Sequence, residues 1–533
     1  MWKISTILIF GFFIRIISIN WDNGIHLHPD ERALMMTTSS LHFFDKLNPH
    51  MFNYGSLPIY ILKGLGQLID FLFNTNYAMY GQMLYLGRFL SVLVDIGIIF
   101  LIYKISLLVF KKRNIAILGS FLYSIAFFPI QNSHFFIVDV FLNFFILFTF
   151  YRLLIYIDKP IIKNLIFISI IYAASFTSKF TAIVFLPLII IYIFISGKSK
   201  IKDLIVFILV FILFSFIFMP YMFIEYQNYI KDVAFQLRLN NNAYAFPYTL
   251  QYIGTIPYIY YLKNIFLWGL GPLISLLVMF GICLVFWSIN NKKGEKLEFN
   301  YKKLLLFSIF YLFYFIIIGK SAVKFMRYML LIYPFLIVFA GYGLYYIYKK
   351  INKLFVPLII LMLIWSYMFI QINSKSHSRV DASNWILENI PYNLTLATEH
   401  WDDRIPFRMG EDYKYQELTL YDQPDNSIKW SLLNNKLRAS DYIIISSNRL
   451  YFPLTRLSDC GKYIQCYPLT SKYYKNLFDE KLGFKKIAEF TSYPKIEIGK
   501  FKFEIIDDSA DESFTVYDHP KVMIFKKVDI KNE

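Results

Sequence analysis

Apolar and polar positions alternate along this chain in long blocks rather than residue by residue. From the N-terminus to about residue 372, apolar runs near twenty residues are separated by short polar stretches. A helical run of that length matches the roughly 30 Å hydrocarbon core of a bilayer. The pattern predicts about eleven spans, at roughly 4–20, 84–110, 115–131, 135–157, 165–177, 179–196, 204–221, 265–289, 304–318, 328–348 and 354–372. Beyond residue 372 the blocks shorten. Strand-like runs such as DYIIISS and KVMIFKK stand beside helical ones such as DASNWILENI. The expected architecture is mainly α: a polytopic membrane helical bundle over 1–372, then a small soluble α/β domain over 373–533.

The loops set the expected orientation. KKRN (111–114), DKPIIKN (158–164), GKSKIKD (197–203), NNKKGEKLEFNYKK (290–303) and KKINK (349–353) are dense in lysine, as cytoplasmic loops are. Eleven alternating spans put all five on one side. The N-terminus is then cytoplasmic and the C-terminal domain extracytoplasmic, in a multi-pass protein of the plasma membrane. Segments 21–83, 222–264 and 373–533 face outward. Arg15 interrupts the first apolar run and no small-residue cleavage site follows, so a cleaved signal peptide is not expected.

Composition supports the membrane class: of 533 residues, 57% are hydrophobic and only 17% charged. A formal charge of +17 would raise the question of nucleic acid. The lysines, however, sit in short clusters between apolar runs, so the charge is assigned to membrane orientation and no nucleic-acid partner is expected. Neither a Walker motif, nor GxGxxG, nor HExxH occurs, which argues against ATP-driven transport, dinucleotide chemistry and zincin-type hydrolysis. Cys283 lies in an apolar span. Cys460 and Cys466, in DCGKYIQC, can close a small disulfide loop if that region meets an oxidising compartment.

Ionisable groups beside a membrane span are costly and point to function. Here they gather at the outer ends. Asp30 and Glu31 follow the first span, and Arg88 falls in the outer turns of the second. His134 and Asp139 open the fourth. Lys179 lies between the fifth and sixth, and Lys320, Lys324 and Arg327 precede the tenth. Such a mixture suits a polar cavity in the outer leaflet. Plainer readings remain open beside it. HPDER could be a solvated helix start, Asp139 a buried polar clamp between helices, and Lys179 or Arg327 a snorkelling cation. Adjacent carboxylates on a helix point about 100° apart, so Asp30 and Glu31 cannot form a symmetric dyad; one could face a reaction centre while the other orients its neighbours. In the soluble domain, WDDR (401–404) and DDSADE (507–512) could hold a divalent cation or lie in solvated turns.

The motifs HPDE (28–31), FNYGSLPIY (52–60), GRFLSVLVD (87–95), SHFFIVDVFLNFF (133–145), SFTSKFTAIVFLP (175–187) and VKFMRYMLLIYPFL (323–336), in that order, resemble those of the glycosyltransferase C superfamily. The likeness is to the dolichyl-phosphate-mannose protein mannosyltransferases and the bacterial aminoarabinose transferases, and it covers the membrane region. It implies that Asp30 is the catalytic base, that Asp139 corresponds to the family's second loop acid, and that Arg88 opens the second span as the family's arginine does; Glu31, beside Asp30, is a further catalytic candidate. Arg88, Lys179, Lys324 and Arg327 are the candidates to bind a donor phosphate, and His28, Tyr54 and His134 the candidates for other substrate contacts. The expected reaction is an inverting transfer of a sugar from a polyprenyl-phosphate donor to a glycan, lipid or protein hydroxyl on the outer face. No cofactor is expected beyond a possible divalent cation. The rival readings are a transporter or flippase of lipid-linked sugars and an anchored scaffold.

Overall fold

The computed structural model describes residues 2–291, 299–407 and 413–528. Part of the lysine-rich loop 290–303 therefore lies outside the described residues. The protein is mostly helical, with a small sheet region near its C-terminus, and divides into two compact units. One comprises 1–20, 28–238 and 256–370; the other comprises 21–27, 239–255 and 371–533.

In the first unit the long apolar runs become helices. Seven among the described residues are long and apolar enough to cross a membrane: Tyr80–Phe110, Val138–Asp158, Lys200–Phe218, Pro272–Asn291, Tyr301–Gly319, Met326–Lys350 and Asn352–Asn373. The bent pair Arg113–Ile125 and Phe127–Ser133 makes an eighth if counted as one span. Three of the eleven expected spans are shorter than this: Trp2–Ile16, Ile162–Ser178 and Phe180–Ser196. Prolines explain several departures from the expected boundaries. Pro129 lacks the N–H that would reach the Ile125 carbonyl and its ring crowds that carbonyl, so the expected span 115–131 bends by 60° at Ala126. The expected span 265–289 is π-helical over Ile265–Gly269 and becomes an α-helix only at Pro272, after Gly271 takes a positive φ of 78°. Pro187 and Pro334 sit at the first positions of Leu186–Ser196 and Tyr333–Lys350, and each helix is preceded by a 3-10 stretch, Phe180–Phe185 and Met326–Ile332. Those two stretches carry or adjoin Lys179 and Arg327.

A buried ionic group ties three helices of this unit. The Arg15 guanidinium donates to Asp95 at 2.6 Å and to the Ser124 carbonyl at 3.0 Å, and the Tyr123 hydroxyl donates to Asp95 at 2.8 Å. Arg15 is fully buried. An acid and a base this deep are tolerable only as a hydrogen-bonded pair.

The second unit is built on a five-stranded sheet. Its strands are β1 (Thr395–Glu399), β2 (Lys414–Leu418), β3 (Tyr442–Ile445), β4 (Phe484–Phe490) and β7 (Val522–Lys527), in the order β2-β1-β3-β7-β4. β1 runs parallel to both β2 and β3, while β7 is antiparallel to β3 and β4. β5 (Lys495–Ile498) and β6 (Phe501–Glu504) form a separate hairpin. Alternation along β3 and β7 fills two cores. Ile443, Ile445, Met523 and Phe525 pack with Leu433, Tyr473 and Leu477 on one face; Tyr442, Ile444, Val522 and Ile524 pack with Ile386 and Ile390 on the other. Cys460 and Cys466 form a disulfide.

Two outer loop segments, which the sequence reading assigned to the membrane region, belong to this unit instead. Leu250 and Ile253 enter its core, the Gln251 side chain accepts from the Glu512 N–H at 2.9 Å, and the Ile253 carbonyl accepts from Arg456 at 2.8 Å. Trp21 packs on the His377 ring at 5.7 Å.

Candidate active site

The site in the first unit begins at a helix N-terminus. His28 caps Pro29–Ser40, its ring nitrogen accepting from the Glu31 N–H at 3.4 Å, and Pro29 occupies the first turn, where a missing N–H costs nothing. Asp30 and Glu31 fill that turn, where carboxylates complement the helix dipole. Helical geometry then sends them in different directions.

Glu31 turns inward and is fully buried against Arg88, which is also fully buried. The two form a bidentate pair, Nε to Oε1 at 3.0 Å and Nη2 to Oε2 at 2.7 Å. Glu31 also accepts from the Phe136 N–H at 2.7 Å, and Arg88 donates to the Ile19 carbonyl at 2.8 Å. Removing such a pair from water favours burial only when its hydrogen bonds are met. Here they anchor the Asp30 helix to the helix Tyr80–Phe110 and to the backbone beside His134.

Asp30 turns instead toward Arg327 and forms an ion pair with its guanidinium. The Tyr54 hydroxyl hydrogen-bonds to the same carboxylate. Burial by itself would push the Asp30 carboxyl up; Arg327, His28 and Tyr54 outweigh it and hold the group at about 2. Burial and the Asp30 charge push the Tyr54 hydroxyl well above its ordinary value, so Tyr54 stays protonated and donates. Its position depends on Gly55, whose N–H donates to the Ser178 carbonyl at 3.1 Å. A Cβ at Gly55 would lie 2.0 Å from the Thr177 carbonyl. That contact brings FNYGSLPIY against SFTSK.

The next residue after Ser178, Lys179, donates to Asp139 at 2.6 Å and lies 5.2 Å from the Tyr328 ring. Asp139 in turn acts electrostatically on Tyr54. Asp30, Tyr54, Arg327, Asp139 and Lys179 thus gather in one cluster. Lys324, three residues before Arg327, is 3% exposed. Its ammonium donates to the Ala322 carbonyl at 3.0 Å and has no carboxylate partner among the described residues, and burial pushes its pKa down. His134 is buried at the C-cap of Phe127–Ser133, while His28 packs its ring 4.7 Å from Phe135. Lys320 is exposed and outside the cluster.

The residues do not fit a resident metal. Among the described residues no three His, Cys, Asp or Glu side chains are grouped to hold an ion. WDDR and DDSADE, the candidate cation sites of the sequence, spend their acids on protein partners. Asp402 and Asp403 take Arg379 at 2.5 and 3.1 Å, Asp507 takes His519 at 3.0 Å, Asp508 takes Lys521 at 3.0 Å, and Asp511 caps Glu512–Thr515.

The Arg15–Asp95–Tyr123 group and the Glu31–Arg88 pairing are the contacts that motif reading did not supply. Asp95 at the centre of an apolar run signalled a buried partner; nothing in the spacing named Arg15.

Residues 68–224 match the family model described as Dolichyl-phosphate-mannose-protein mannosyltransferase. That stretch contains three of the six motifs, those around Arg88, Asp139 and Lys179. No curated protein matches the chain. Among solved structures, Archaeoglobus fulgidus oligosaccharyltransferase AglB, in complex with an inhibitory peptide and a dolichol-phosphate, gives a TM-score of 0.48 at 14% identity, over 95% of this chain and 74% of that one. ArnT from Cupriavidus metallidurans in the apo state gives 0.47 at 11% identity over 91% of each chain. The S. cerevisiae protein O-mannosyltransferase Pmt1-Pmt2 complex, bound to the sugar donor, gives 0.31 at 15% identity over 43% of this chain and 34% of that one.

Proposed function

We propose that this chain is an integral membrane glycosyltransferase that moves a sugar from a polyprenyl-phosphate donor to an acceptor hydroxyl at the extracytoplasmic face, with inversion. The observation that carries the reading is the Asp30–Arg327 ion pair with Lys324, which has no carboxylate partner among the described residues, beside it in sequence. Asp30, Asp139 and Glu31 are balanced by Arg327, Lys179 and Arg88, so Lys324 leaves one positive charge in surplus. A buried surplus cation favours an anionic ligand, and a lipid phosphate meets that need at headgroup depth.

In the proposed step, Asp30 accepts the proton of the acceptor hydroxyl. The acceptor oxygen forms a bond to the anomeric carbon, and the bond from that carbon to the phosphate oxygen breaks on the opposite face. Its electron pair leaves with the phosphate as a stable anion, so no strong general acid is needed. A carboxyl near 2 is a weak base for work near neutrality. The donor phosphate would compete for Arg327, and a guanidinium drawn toward phosphate no longer holds the Asp30 pKa down. Donor binding would then raise the basicity of Asp30 when it is needed. Lys324 and Arg327 serve the phosphate in this scheme, and Lys179 holds Asp139 beside Tyr54. Glu31 and Arg88 act as positioning residues: their charges satisfy one another.

The test is transfer by purified protein in lipid nanodiscs, supplied with undecaprenyl-phosphate-linked mannose, glucose or aminoarabinose and read as release of undecaprenyl phosphate. Asp30→Asn is expected to lower the rate by about 10²- to 10⁴-fold. Near-normal turnover in that variant would remove Asp30 as the base.

A further inference from the structure

The carboxyl ends of β1 and β3 form the switch point of the second unit's sheet. The chain leaves β1 for β2 on one side, then returns to place β3 on the other. Open α/β sheets bind ligands in the crevice at such a point, because the loops diverge there. In this protein the loop after β1 is WDDR, whose acids are already committed to Arg379.

That commitment builds a frame. Asp402 is held by Arg379 at 2.5 Å and by the Ser447 hydroxyl, and Arg379 also donates to the Ser446 carbonyl at 3.2 Å. Arg449, paired with Glu512 at 2.7 Å, donates to the Trp401 carbonyl at 2.8 Å. Between these clamps Trp401 is forced to a φ of +76°, a left-handed conformation unfavourable for a bulky side chain and retained where surrounding contacts over-determine it. The strain displays the indole. Trp401 is 38% exposed. Phe246, Tyr421 and His400 meet it edge-on, at 65°, 81° and 84°, and among the described residues no ring lies parallel to the indole. The exposed His400–Glu417 pair, 2.8 Å apart, supplies hydrogen-bonding groups beside it.

We infer that this carboxyl edge, at Trp401, is a binding site for saccharides. The exposed part of the indole presents an aromatic surface to the C–H side of a pyranose, and the polar rim meets its hydroxyls. Asp402, Asp403, Glu417 and Glu512 are each paired with a cationic or imidazole side chain, and Arg404 of the same loop lies over the Tyr415 ring.

The site needs neither donor nor Asp30, so its failure and the failure of the transfer reading are separate results. The experiment is saturation-transfer difference NMR on the full-length protein in detergent, with maltohexaose, cellohexaose and mannohexaose as probes and a tryptophan-containing peptide as control. Saturation of the ring protons of at least one hexasaccharide is expected. Trp401→Ala should weaken that binding by about tenfold or more, and Trp401→Phe, which keeps an aromatic face, should restore most of it at unchanged elution volume. No signal from any hexasaccharide, an unchanged signal in Trp401→Ala, or binding of the peptide alone would overturn the assignment.

Discussion

Replacing Arg327 by glutamine removes the cation from Asp30 while keeping a side chain of similar length and polarity. The wild-type carboxyl sits at about 2 against an ordinary 3.8. At about 1.4 kcal/mol per pH unit, that is on the order of 2 kcal/mol of preference for the charged form. Arg327 is the largest contribution opposing burial, so its loss leaves burial opposed only by His28 and Tyr54. The Asp30 carboxyl in Arg327→Gln should therefore rise from about 2 toward its ordinary value. The sign for stability follows from the depressed native value. In the wild type the pair's contribution is complete above the unfolded carboxylate pKa and is lost as pH falls through about 2; in the variant it is absent throughout. Carbodiimide coupling requires the protonated carboxyl, so peptide mass spectrometry of Asp30 labelled across pH 3 to 7 reads the change directly and needs no donor. Labelling of the variant should persist to higher pH than that of the wild type. Coincident profiles would show that Arg327 does not control Asp30, and the proposed coupling between donor binding and basicity would fall with it.

Glu31→Gln leaves Arg88 charged and buried opposite a neutral amide, a loss on the order of 3 to 5 kcal/mol. The double variant Glu31→Gln/Arg88→Met should recover part of the thermal midpoint in detergent; additive losses would mean the two side chains are not coupled. Lys324→Met should raise the midpoint slightly, by relieving a desolvated charge, while weakening capture of undecaprenyl phosphate in a binding assay; unchanged capture would release Lys324 from the phosphate role. Gly55→Ala places a methyl group on the Thr177 carbonyl, and the required shift should cost a few kcal/mol and displace Tyr54. A variant with wild-type midpoint and turnover would contradict the close packing of these two segments.

The helical blocks were legible because hydrophobicity over twenty residues leaves few alternatives in a bilayer. DYIIISS and KVMIFKK were likewise legible as strands, since alternate residues of β3 and β7 fill opposite cores. Breaks within spans were harder. Pro129 bends its helix, whereas Pro357 lies inside the continuous helix Asn352–Asn373, and hydropathy does not distinguish the two. At the site, the sequence indicated that Asp30 and Glu31 diverge, but not which cation each meets. Pairing across 297 residues, as between Asp30 and Arg327, is set by helix packing and leaves no local trace. Arg88 is a phosphate candidate in the sequence because arginine suits bidentate phosphate contact; its bidentate pair with Glu31 is a tertiary fact with no local trace.

The interleaving of 21–27, 239–255 and 371–533 in one folded body imposes a parity rule on membrane insertion. A bilayer cannot run through the core that Leu250 shares with Ile443 and Phe525, so all three segments must emerge on the same side. The chain must then cross an even number of times between residues 27 and 239, and again between 255 and 371. Any threading with an odd count in either interval is excluded, however the short helices at 162–178 and 180–196 are disposed.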